Sequence, residues 1–374
     1  MIQVRRLRNF DEARAYHGQW NSMVTGSAAR LGVPSVFQTF EWNEAWWNAF
    51  GNGHELLLLA AFRGDQLIGV APFMISRTWF PVPGKKIRFL GCPNYATDYG
   101  AIIHVAGDLD VISEINRWLG QNSELWTEIE LTNLIEGCRE VSAFDRCEKG
   151  GFRRAHASYY SDAPTRELGD EKADQETLNK KSLKRHTNWF KSQGELTFRH
   201  IDSVSEMKTL LNPFFEQHIG RRSITQAPSQ FQNENQRKFY LSLVESLGSL
   251  GWLKFFEVGL NGQPIAFHIG FEFGGKYYWY KPTFDVKYTK KSPGEVLLKG
   301  LIQYAVDRKL SEFDFTVGNE GFKYRFSNRI RRLHRVRAFR SRIHYFFFWM
   351  NLKARDLLRP VKRVLFKPKD ASVH

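Results

Sequence analysis

The chain has 374 residues, of which 42% are hydrophobic and 15% aromatic, and this composition is too apolar for a disordered protein. Its length predicts two domains or one large one. The formal net charge is +15, from 54 Lys and Arg against 39 Asp and Glu. Most of that charge is local, because residues 321–374 hold 16 basic residues and only two acidic ones, Asp356 and Asp370. The net charge alone therefore does not indicate a nucleic-acid-binding protein.

The cysteines and the first residues indicate a reducing compartment. Cys92, Cys138 and Cys147 contain no CxxC pair and no even set, so we expect reduced thiols and no structural metal site. The residues after Met1 lack the apolar stretch of a secretory signal. We therefore predict a cytoplasmic localisation and no metal cofactor.

Two segments far apart in the chain each predict a β-hairpin. Residues 56–75 run from one apolar stretch through a polar turn at 63–66 into a second apolar stretch. Residues 252–273 repeat the pattern with Asn261-Gly262 at the turn, which is a strong signal for a short hairpin loop.

A helix and a further strand are expected after each hairpin. Apolar residues spaced near 3.6 predict helices over 110–119 and 294–308. These lead into strand-like segments at 126–131 and 312–316. The order of hairpin, helix and strand occurs twice, and a repeat of this length predicts duplicated domains rather than a solenoid.

The predicted fold class is α/β (α+β), with two tandem units that each hold a mixed, mainly antiparallel sheet flanked by helices. We place the units at 1–165 and 166–340, with a basic aromatic tail at 341–374. The two predicted helices should occupy equivalent places in their units.

Residues 162–195 connect the two copies and contain few apolar residues before Trp189. They predict a connector followed by a basic helix over 176–193. This helix is either a solvated surface helix or a contact for phosphate groups, because it carries a tight basic cluster of Lys180, Lys181, Lys184 and Arg185.

The start of the helix near residue 293 has the pattern of an anion site. Ser292 is a candidate N-cap, Pro293 occupies the first helical position, and Gly294 follows. The N–H groups and the dipole of such a helix end favour a pyrophosphate, and Lys290 and Lys291 stand just before it. The alternative is an ordinary capped helix.

The segment that closes the second unit carries a resemblance to a known family. Residues 314–326 read D-F-x-x-G-x-E-x-x-K-x-R-F. Together with the repeated hairpin and the SPG helix start, this pattern resembles the CelD-type branch of the GNAT superfamily of acyl-CoA N-acyltransferases. That branch is related to the FemAB-like transferases. Residues 37–51 and 87–100 are similar to the first domain of the same branch.

The resemblance implies transfer of an acyl group, as from acetyl-CoA or another acyl-CoA, to an amine or hydroxyl acceptor, often in polysaccharide or cell-envelope metabolism. The chain departs from typical GNAT enzymes because KKSPGE replaces the R/Q-x-x-G-x-G/A pyrophosphate loop. FemAB-like relatives use aminoacyl-tRNA, so tRNA is the alternative donor carrier. A non-catalytic binding protein of the envelope machinery is the third possibility.

Acyl transfer needs a base, a stabiliser of the oxyanion and an acid for the leaving thiolate. The polar residues expected to converge are listed here: Asp314, Glu320, Lys323, Tyr324 and Tyr280 from the second unit, with Asp98 and Tyr99 entering from the first. We predict Glu320 or Asp314 as the base, Lys323 as the orienting cation, and Tyr324 or Tyr280 as the acid. Alternatively, these residues cap the strand and pair with Arg325 or Arg329.

The predicted donor site consists of Lys290, Lys291, Ser292, Pro293 and Gly294. The equivalent helix of the first unit begins at residues 107–110, where Asp108 and Asp110 would repel a pyrophosphate. We therefore expect the first unit to lack a donor site.

The C-terminal tail mixes apolar and basic residues. Residues 344–350 are apolar but far too few to span a bilayer, which takes roughly 20 residues. Residues 352–369 form a basic amphipathic pattern, which is typical of a segment that lies on an anionic membrane surface, although a solvated helix packed on the domain has the same pattern. A peripheral position on the inner face of the cell membrane is the corresponding localisation.

Overall fold

The structure is a computed structural model. It describes residues 1–25, 35–79, 81–92, 94, 96–105, 107, 108, 110–145, 154–224 and 228–365. Cys147, Leu109 at the predicted helix start of the first unit, and residues 366–369 of the predicted amphipathic tail segment lie outside the described residues.

Strands are distributed over both halves of the chain. They are β1 (Ile2–Leu7), β2 (Glu55–Arg63), β3 (Gln66–Thr78), β4 (Gly84–Phe89), β5 (Ile103–His104), β6 (Glu128–Ile135), β7 (Arg154–Glu167), β8 (Leu196–Ile201), β9 (Leu253–Leu260), β10 (Gln263–Phe273), β11 (Lys276–Phe284), β12 (Glu312–Asp314) and β13 (Arg329–Phe339).

Helices connect and cover these strands. They are α1 (Phe10–Arg14), α2 (His17–Thr25), α3 (Phe40–Phe50), α4 (Asp110–Gln121), α5 (Arg139–Asp145), α6 (Glu171–Leu178), α7 (Lys181–Ser192), α8 (Val204–Ser223), α9 (Glu234–Ser249), α10 (Pro293–Asp307), α11 (Gly321–Phe326) and α12 (Arg342–Leu365). Short 3-10 turns lie at Val36–Gln38, Ser123–Leu125, Gln230–Gln232 and Val286–Lys291.

Within the described residues, the strands form one continuous sheet in the order β1-β2-β3-β4-β6-β13-β7-β12-β11-β10-β9-β8, with β5 beside β3. The pairs β4–β6 and β11–β12 are parallel, and the other pairs are antiparallel. The sheet is therefore mixed and mainly antiparallel, as the sequence predicts.

The sheet repeats itself when it is followed inwards from its two edges. One half runs β1-β2-β3-β4-β6 and the other runs β8-β9-β10-β11-β12, and in each the parallel pair comes last. Helix α4 precedes β6 and α10 precedes β12, so the two predicted helices occupy equivalent places. The predicted hairpins are β2–β3 and β9–β10. At the second turn, Asn261 and Gly262 have φ of 51° and 74°, which a two-residue type I′ turn requires.

The two halves exchange their last strands at the centre of the sheet. Strand β13 from the end of the chain pairs with β6 of the first half, and β7 from the first half pairs with β12 of the second. The exchanged strands also pair with each other along their length, from Arg329 with Thr165 to Phe339 with Arg154. The predicted division of the chain at residue 165 stays a prediction, and β7 crosses that position.

Alternating side chains build separate cores on the two faces of the sheet. On one face, α4 packs with Leu57 and Leu59 of β2 in the first half, and α10 packs with Tyr277 and Trp279 of β11 in the second. On the other face a single core joins both halves through α3 and α9.

One predicted helix is interrupted in the structure. The sequence predicts a continuous helix over 176–193, whereas α6 ends at Leu178 and α7 begins at Lys181. Asn179 is the C-cap residue of α6, with its backbone N–H bonded to the Gln175 carbonyl, and Lys180 has the non-helical angles φ −51° and ψ 134°. The basic cluster therefore extends across a helix break.

The tail begins with a long helix. Helix α12 holds Arg342–Leu365, and no described helix is long and apolar enough to cross a membrane. Phe348 of α12 packs on Phe339 of β13 with ring centroids 5.0 Å apart, which joins the helix to the central strands.

Trp42 provides a test of the shared core. Its indole is fully buried, donates to the Thr97 hydroxyl at 2.9 Å and meets Phe239 and Phe271 edge to face. We expect Trp42→Ala to lower the free energy of unfolding in urea by about 3–5 kcal/mol, because it leaves a large cavity between the halves. Hydrogen exchange should accelerate in both β2 and β10.

The matched control is Trp79→Ala. The Trp79 side chain is 73% exposed, so its loss should change stability by no more than about 0.5 kcal/mol. Faster exchange in only one half of the Trp42 variant would contradict a shared core.

Candidate functional site

The parallel strand pair of the second half separates at its carboxyl end. Three residue pairs join β11 to β12, and the last is Tyr278 with Asp314. Strand β11 continues to Phe284, whereas the chain leaves the sheet after Asp314. Thr316 has φ 59°, and its hydroxyl donates to the Trp279 carbonyl at 3.0 Å. The end of β11 and residues 316–320 therefore border an opening in the sheet.

The predicted donor residues lie at one side of this opening, where α10 begins. Ser292 has the left-handed angles φ 53° and ψ 58°, and its side chain forms no capping hydrogen bond within the described part of the chain. Ser292 is thus the N-cap residue of α10, as predicted, but it does not cap the helix with its side chain. Pro293 is buried at the helix start, and the Gly294 position faces Phe284.

Cationic side chains surround this end of α10. Lys290 and Lys291 are exposed, and the Lys291 ammonium lies 4.8 Å from the Trp189 ring of α7. Further along, burial and the neighbouring charges of Lys191 and Lys184 lower the pKa of Lys299. Glu295 in the first helical turn is paired with Arg325 and lies 3.9 Å from His186. The surface of α7 and α10 thus carries an excess of positive charge beside the helix N-terminus.

The corresponding end of α4 in the first half is already occupied by its own carboxylates. Asp108 pairs with Arg63 at 2.7 Å, and Asp110 lies in the first helical turn. The two helices are equivalent in position but opposite in the charge at their N-termini. This contrast is consistent with the expected loss of a donor site in the first unit, which stays a prediction.

Lys323 folds back onto the turn at residues 317–320 that follows β12. Gly318 has φ 146°, and a Cβ there would lie 2.1 Å from Glu320 Oε2 and 2.6 Å from Lys323 Nζ. Lys323 is 4% exposed, donates to the Val317 carbonyl at 2.8 Å and pairs with Glu320 at 3.1 Å. Glu320 itself is largely exposed, with 57% of its side chain accessible. The turn therefore needs glycine at position 318 to accommodate this ion pair.

Asp314 belongs to a buried network. Its carboxylate accepts hydrogen bonds from the Tyr99 hydroxyl at 2.8 Å, the Thr316 N–H at 2.7 Å and Arg331 at 3.0 Å. Arg331 also binds Glu312, so one guanidinium serves two carboxylates. The predicted structural partners Arg325 and Arg329 instead pair with Glu295 and Glu167. The partner of Asp314 is thus Arg331, on the exchanged strand β13.

Burial governs the titration of this network. Burial raises the pKa of Asp314 to about 6, although Arg331 acts against it. Burial also acts to lower the pKa of Arg331, but the hydrogen bond to Glu312 and the charge of Asp314 raise it above its ordinary value. The Tyr99 hydroxyl has its pKa raised well above 10, first by burial and then by the charge of Asp314. The Tyr99 hydroxyl therefore stays protonated, and its O–H donates a hydrogen bond to the Asp314 carboxylate.

Asp98 lies in a second charged group that combines both halves. Burial raises the pKa of Asp98 to about 6, while Lys281, Lys323 and the Thr316 side chain lower it. In contrast to Asp314, Asp98 is partly exposed. The group therefore combines one carboxylate from the first half with two lysines from the second.

Lys281 and α8 add positive charge at the same place. Burial lowers the pKa of Lys281, and Asp98 partly restores it. Burial also lowers the pKa of His218 to about 3, helped by Lys281, Arg222 and Arg221. Arg221 donates to the Pro282 carbonyl at 2.8 Å. The end of β11 is therefore a cationic surface with Asp98 at its border.

Tyr280 and His268 hold the strand that carries Lys281. The Tyr280 hydroxyl donates to the Ala96 carbonyl at 2.8 Å, and its backbone N–H donates to Nε2 of His268 at 3.1 Å. Burial lowers the pKa of His268 to about 3, so the ring is neutral and can accept this bond. Burial and the charge of Asp98 raise the pKa of Tyr280 well above 10. Tyr280 therefore remains a protonated phenol beside Asp98.

Tyr324 faces a different set of residues. Its hydroxyl donates to Asp162 at 2.7 Å and lies 3.1 Å from Asn319. Burial and Asp162 raise its pKa to about 12. The structure thus brings Asp98, Lys323 and Tyr280 into one group, Asp314 and Tyr99 into the neighbouring buried network, and Tyr324 against Asp162.

The thiols and the possible metal ligands offer no further candidate. Burial raises the pKa of the Cys92 thiol to about 12, so it is a poor nucleophile at neutral pH. Within the described ranges, no group of three or more His, Cys, Asp or Glu side chains could hold a metal ion.

Sequence reasoning missed Lys281 and Arg331. Lys281 ends the aromatic run 277–280, and a lysine that interrupts a buried strand pattern is an available signal. Arg331 is one of several arginines in 329–340, so the sequence does not show which of them is buried. Its burial follows from the pairing of β13 with β7.

Comparison with known proteins supports the fold. Residues 179–324 match the model of a family described as an acetyltransferase (GNAT) domain. No match was found among curated proteins. The matched segment includes β11, α10 and β12, which border the opening, but not Asp98 or Arg331.

Solved structures resemble nearly the whole chain. The crystal structure of FemX is 12% identical and has a TM-score of 0.57, with 85% of this chain and 95% of that chain covered. The C-terminal domain of a putative lysylphosphatidylglycerol synthetase from Agrobacterium fabrum is 9% identical with a TM-score of 0.56, covering 91% and 96%. A tandem GNAT protein from the clavulanic acid biosynthesis pathway is 10% identical with a TM-score of 0.50, covering 90% and 98%. At these identities the likeness shows the fold alone, and the predicted GNAT-like fold is confirmed.

Arg331→Met tests the buried network. The change leaves Glu312 and Asp314 buried without their guanidinium partner, and only the more distant Lys276 still acts on them, so we expect a loss of about 3–5 kcal/mol of unfolding free energy at pH 7. Without the guanidinium, burial and the charge of Glu312 hold the pKa of Asp314 above that of the unfolded chain. The penalty is therefore absent at pH values below the unfolded pKa, grows as the pH rises from the unfolded to the folded pKa, and is complete above it. Urea denaturation between pH 5 and pH 8 measures this increase.

Arg329→Met is the matched control on the same strand. Its partner is Glu167, and both side chains are more than half exposed, so we expect a change of at most about 1 kcal/mol with little pH dependence. Equal losses in the two variants would show that burial of Arg331 is unimportant.

Proposed function

We propose that the chain is an acyltransferase that moves an acyl group from acyl-CoA to an amine or hydroxyl acceptor. The observation that carries the proposal is the opening between β11 and β12. A helix N-terminus with exposed lysines lies at one side of this opening, and a charged group around Asp98 lies beside it. The match of residues 179–324 to a GNAT acetyltransferase domain supports the reaction class.

The donor phosphates would bind at the start of α10. Lys290 and Lys291 supply positive charge, while Ser292, Pro293 and Gly294 form the turn whose backbone approaches the pyrophosphate. The lysines of α7 and α10 extend this cationic surface, so a donor with several phosphates is favoured over a neutral one. Acetyl-CoA is the donor that the family match favours.

Asp98 is our candidate for the general base. The acceptor attacks the thioester carbonyl, Asp98 takes the acceptor proton, and the thiolate of CoA leaves with a proton from an acid. A pKa of about 6 keeps Asp98 ionised at neutral pH and still basic enough for proton transfer. Lys281 and Lys323 would stabilise the oxyanion of the tetrahedral intermediate.

The other predicted catalytic residues fit less well. Asp314 is fully buried and already accepts three hydrogen bonds, and Glu320 is mostly exposed and paired with Lys323. Tyr280 is our candidate acid for the thiolate because it is a protonated phenol near Asp98; to act, its buried hydroxyl must exchange its bond to the Ala96 carbonyl for one to the thiolate. Tyr324 is hydrogen-bonded to Asp162 instead. Tyr99 would position Asp314 rather than react.

The surroundings of Asp98 favour an acceptor with its own negative charge. After burial, the pKa of His218 is lowered by the charges of Lys281, Arg222 and Arg221. These three cations therefore lie in one neighbourhood. An acceptor that carries a carboxylate or phosphate besides its amine or hydroxyl would neutralise this excess charge. A role in polysaccharide or cell-envelope synthesis, as in the CelD-like branch, is compatible with such acceptors and belongs to this proposal.

An aminoacyl-tRNA donor is the second candidate. The crowded lysines on α7 and α10 would also attract a nucleic acid, and the fold is shared with FemX. Stabilisation by aminoacyl-tRNA but not by acyl-CoA would identify this alternative. Stabilisation by neither would favour a non-catalytic binding protein.

The first activity prediction concerns Asp98. We expect kcat/KM to rise with pH through an apparent pKa near 6 and then to level off, because the base acts only when deprotonated. Asp98→Asn should lower kcat by about 100-fold or more and remove this dependence on pH. The control is Asp65→Asn, in an exposed hairpin turn, and it should retain the wild-type kcat and the dependence on pH. If Asp98→Asn keeps normal kcat while Glu320→Gln or Asp314→Asn loses it, the base is one of those residues.

The second activity prediction concerns the donor. Wild-type protein should gain roughly 2.7 kcal/mol of apparent stability at a hundredfold excess of acetyl-CoA over its Kd, measured by thermal shift. Lys290→Glu with Lys291→Glu should raise the KM for acyl-CoA about tenfold or more with little change in kcat, because both charges then repel the phosphates.

Lys85→Glu with Lys238→Glu is the matched control. Both residues are exposed lysines away from α10, so this variant has the same net charge as the donor-site variant. An equal rise in KM for the two double variants would assign the effect to net charge and contradict the placement of the donor.

A further inference from the structure

A groove with a volume of about 1180 Å³ lies between α12 and the central strands. Its sheet side consists of side chains from β4, β6, β7 and β13, and its other wall is α12. None of its lining residues belongs to the proposed acyl-transfer site. The groove is therefore a second concave surface, built on the exchanged strands.

The sheet side of this groove carries more cations than carboxylates. Glu128 and Glu130 form salt bridges with Lys86, Arg88 and Arg337, at distances between 2.7 and 3.5 Å. These cations lower the pKa of Glu130 to about 2 against the effect of its burial. Arg88 and Glu130 lie beside the groove, whereas its described lining holds three cations, Lys86, Arg335 and Arg337, and one carboxylate, Glu128.

Arg335 and His344 line the groove and hold polar atoms that are enclosed beneath its surface. Arg335 lies over the Tyr160 ring at 5.4 Å. Among the described residues, Arg335 Nε and both ring nitrogens of His344 are buried without a hydrogen-bond partner. Buried polar atoms of this kind are uncommon. A bound phosphate would accept hydrogen bonds from the Arg335 guanidinium and from the one N–H of a neutral His344 ring.

The outer face of α12 is apolar where it borders the groove. Ile343, Phe346, Phe347 and Met350 follow the helical spacing i, i+3, i+4 and i+7, and their exposed fractions are 58%, 57%, 38% and 53%. Phe347 and Met350 also line the groove, so the exposed stripe and the groove are continuous. In the sequence, Leu357, Val361 and Leu365 continue the same spacing among six basic residues between 353 and 367.

We propose that α12 lies on an anionic bilayer and that the groove beneath it binds the headgroup of an anionic phospholipid. The lipid phosphate would contact Arg335 and His344, and the acyl chains would lie against the stripe of Ile343, Phe346, Phe347 and Met350. A lipid surface is the occupant because it supplies both negative charge for the groove and an apolar phase for the stripe.

This site goes beyond the acyl-transfer proposal. Its residues lie outside the donor and acceptor groups, so soluble substrates would not depend on it. It would hold the enzyme at the membrane surface, where lipid-linked acceptors are concentrated.

The test measures binding of the full chain to vesicles of phosphatidylcholine with and without phosphatidylglycerol. We expect sedimentation with the anionic vesicles, weaker binding at high salt, and little binding to phosphatidylcholine alone. Ile343→Gln with Phe346→Gln should reduce binding at least about tenfold, because two apolar side chains no longer enter the bilayer. Arg335→Gln should reduce it about fivefold and weaken the preference for the anionic lipid.

Leu241→Gln with Leu250→Gln is the matched control. These two residues are 40% and 47% exposed at α9, and their replacement should leave vesicle binding unchanged. Equal binding to both vesicle types, or loss of binding in the control alone, would overturn the proposal. It would also be overturned if wild-type protein ignored vesicles but formed a dimer that the α12 variant cannot form.

The outcome is separable from that of the acyl-transfer proposal. The α12 and Arg335 variants should retain wild-type transfer with soluble substrates, while Asp98→Asn should retain vesicle binding. If the α12 variant loses both properties and melts at a lower temperature, the Arg335→Gln variant decides, and an unchanged preference of that variant for the anionic lipid would overturn the proposal.

Discussion

Strands β7 and β13 hydrogen-bond to each other at the centre of the sheet, and each also pairs with the half of the protein from which it does not come. A sheet built in this way cannot be divided between the two halves without breaking a strand pair. The core on one face has the same property, because Trp42 of α3 packs against Phe239 of α9. The exchange therefore makes the two repeated units a single cooperative structure.

The exchange also determines where charge can be buried. Arg331 reaches Glu312 and Asp314 only because β13 lies two strands from β12, across β7. A buried carboxylate pair without this guanidinium would be strongly unfavourable. The Asp314 network in turn holds Tyr99, and the preceding residue is Asp98. The position of the candidate base thus depends on an ion pair supplied by the exchanged strand.

Much of this fold follows from local patterns in the sequence. The hairpin with Asn261-Gly262, the helix beginning at Pro293 and the repeated order of elements all depend on residues close together in the chain. The strand exchange depends on pairing between residues more than 150 positions apart, such as Thr165 with Arg329, and no local signal specifies it. For the same reason the sequence identifies Asp98 and Lys323 as polar candidates, but not Lys281, whose charge acts on Asp98. The break between α6 and α7 was missed because Asn179 and Lys180 are tolerated within helices.

The two repeated units differ at the N-termini of their equivalent helices. Helices α4 and α10 occupy equivalent places, yet the first begins with Asp108 and Asp110 and the second follows Lys290 and Lys291. The helix dipole favours negative charge at both N-termini. Helix α4 supplies this charge with its own carboxylates, whereas in our proposal α10 receives it from the phosphates of a ligand. The first unit contributes instead through the loop that carries Asp98 and Tyr99 to the border of the second unit's opening. A single unit would hold either the donor surface or the candidate base, and so the reaction we propose requires both.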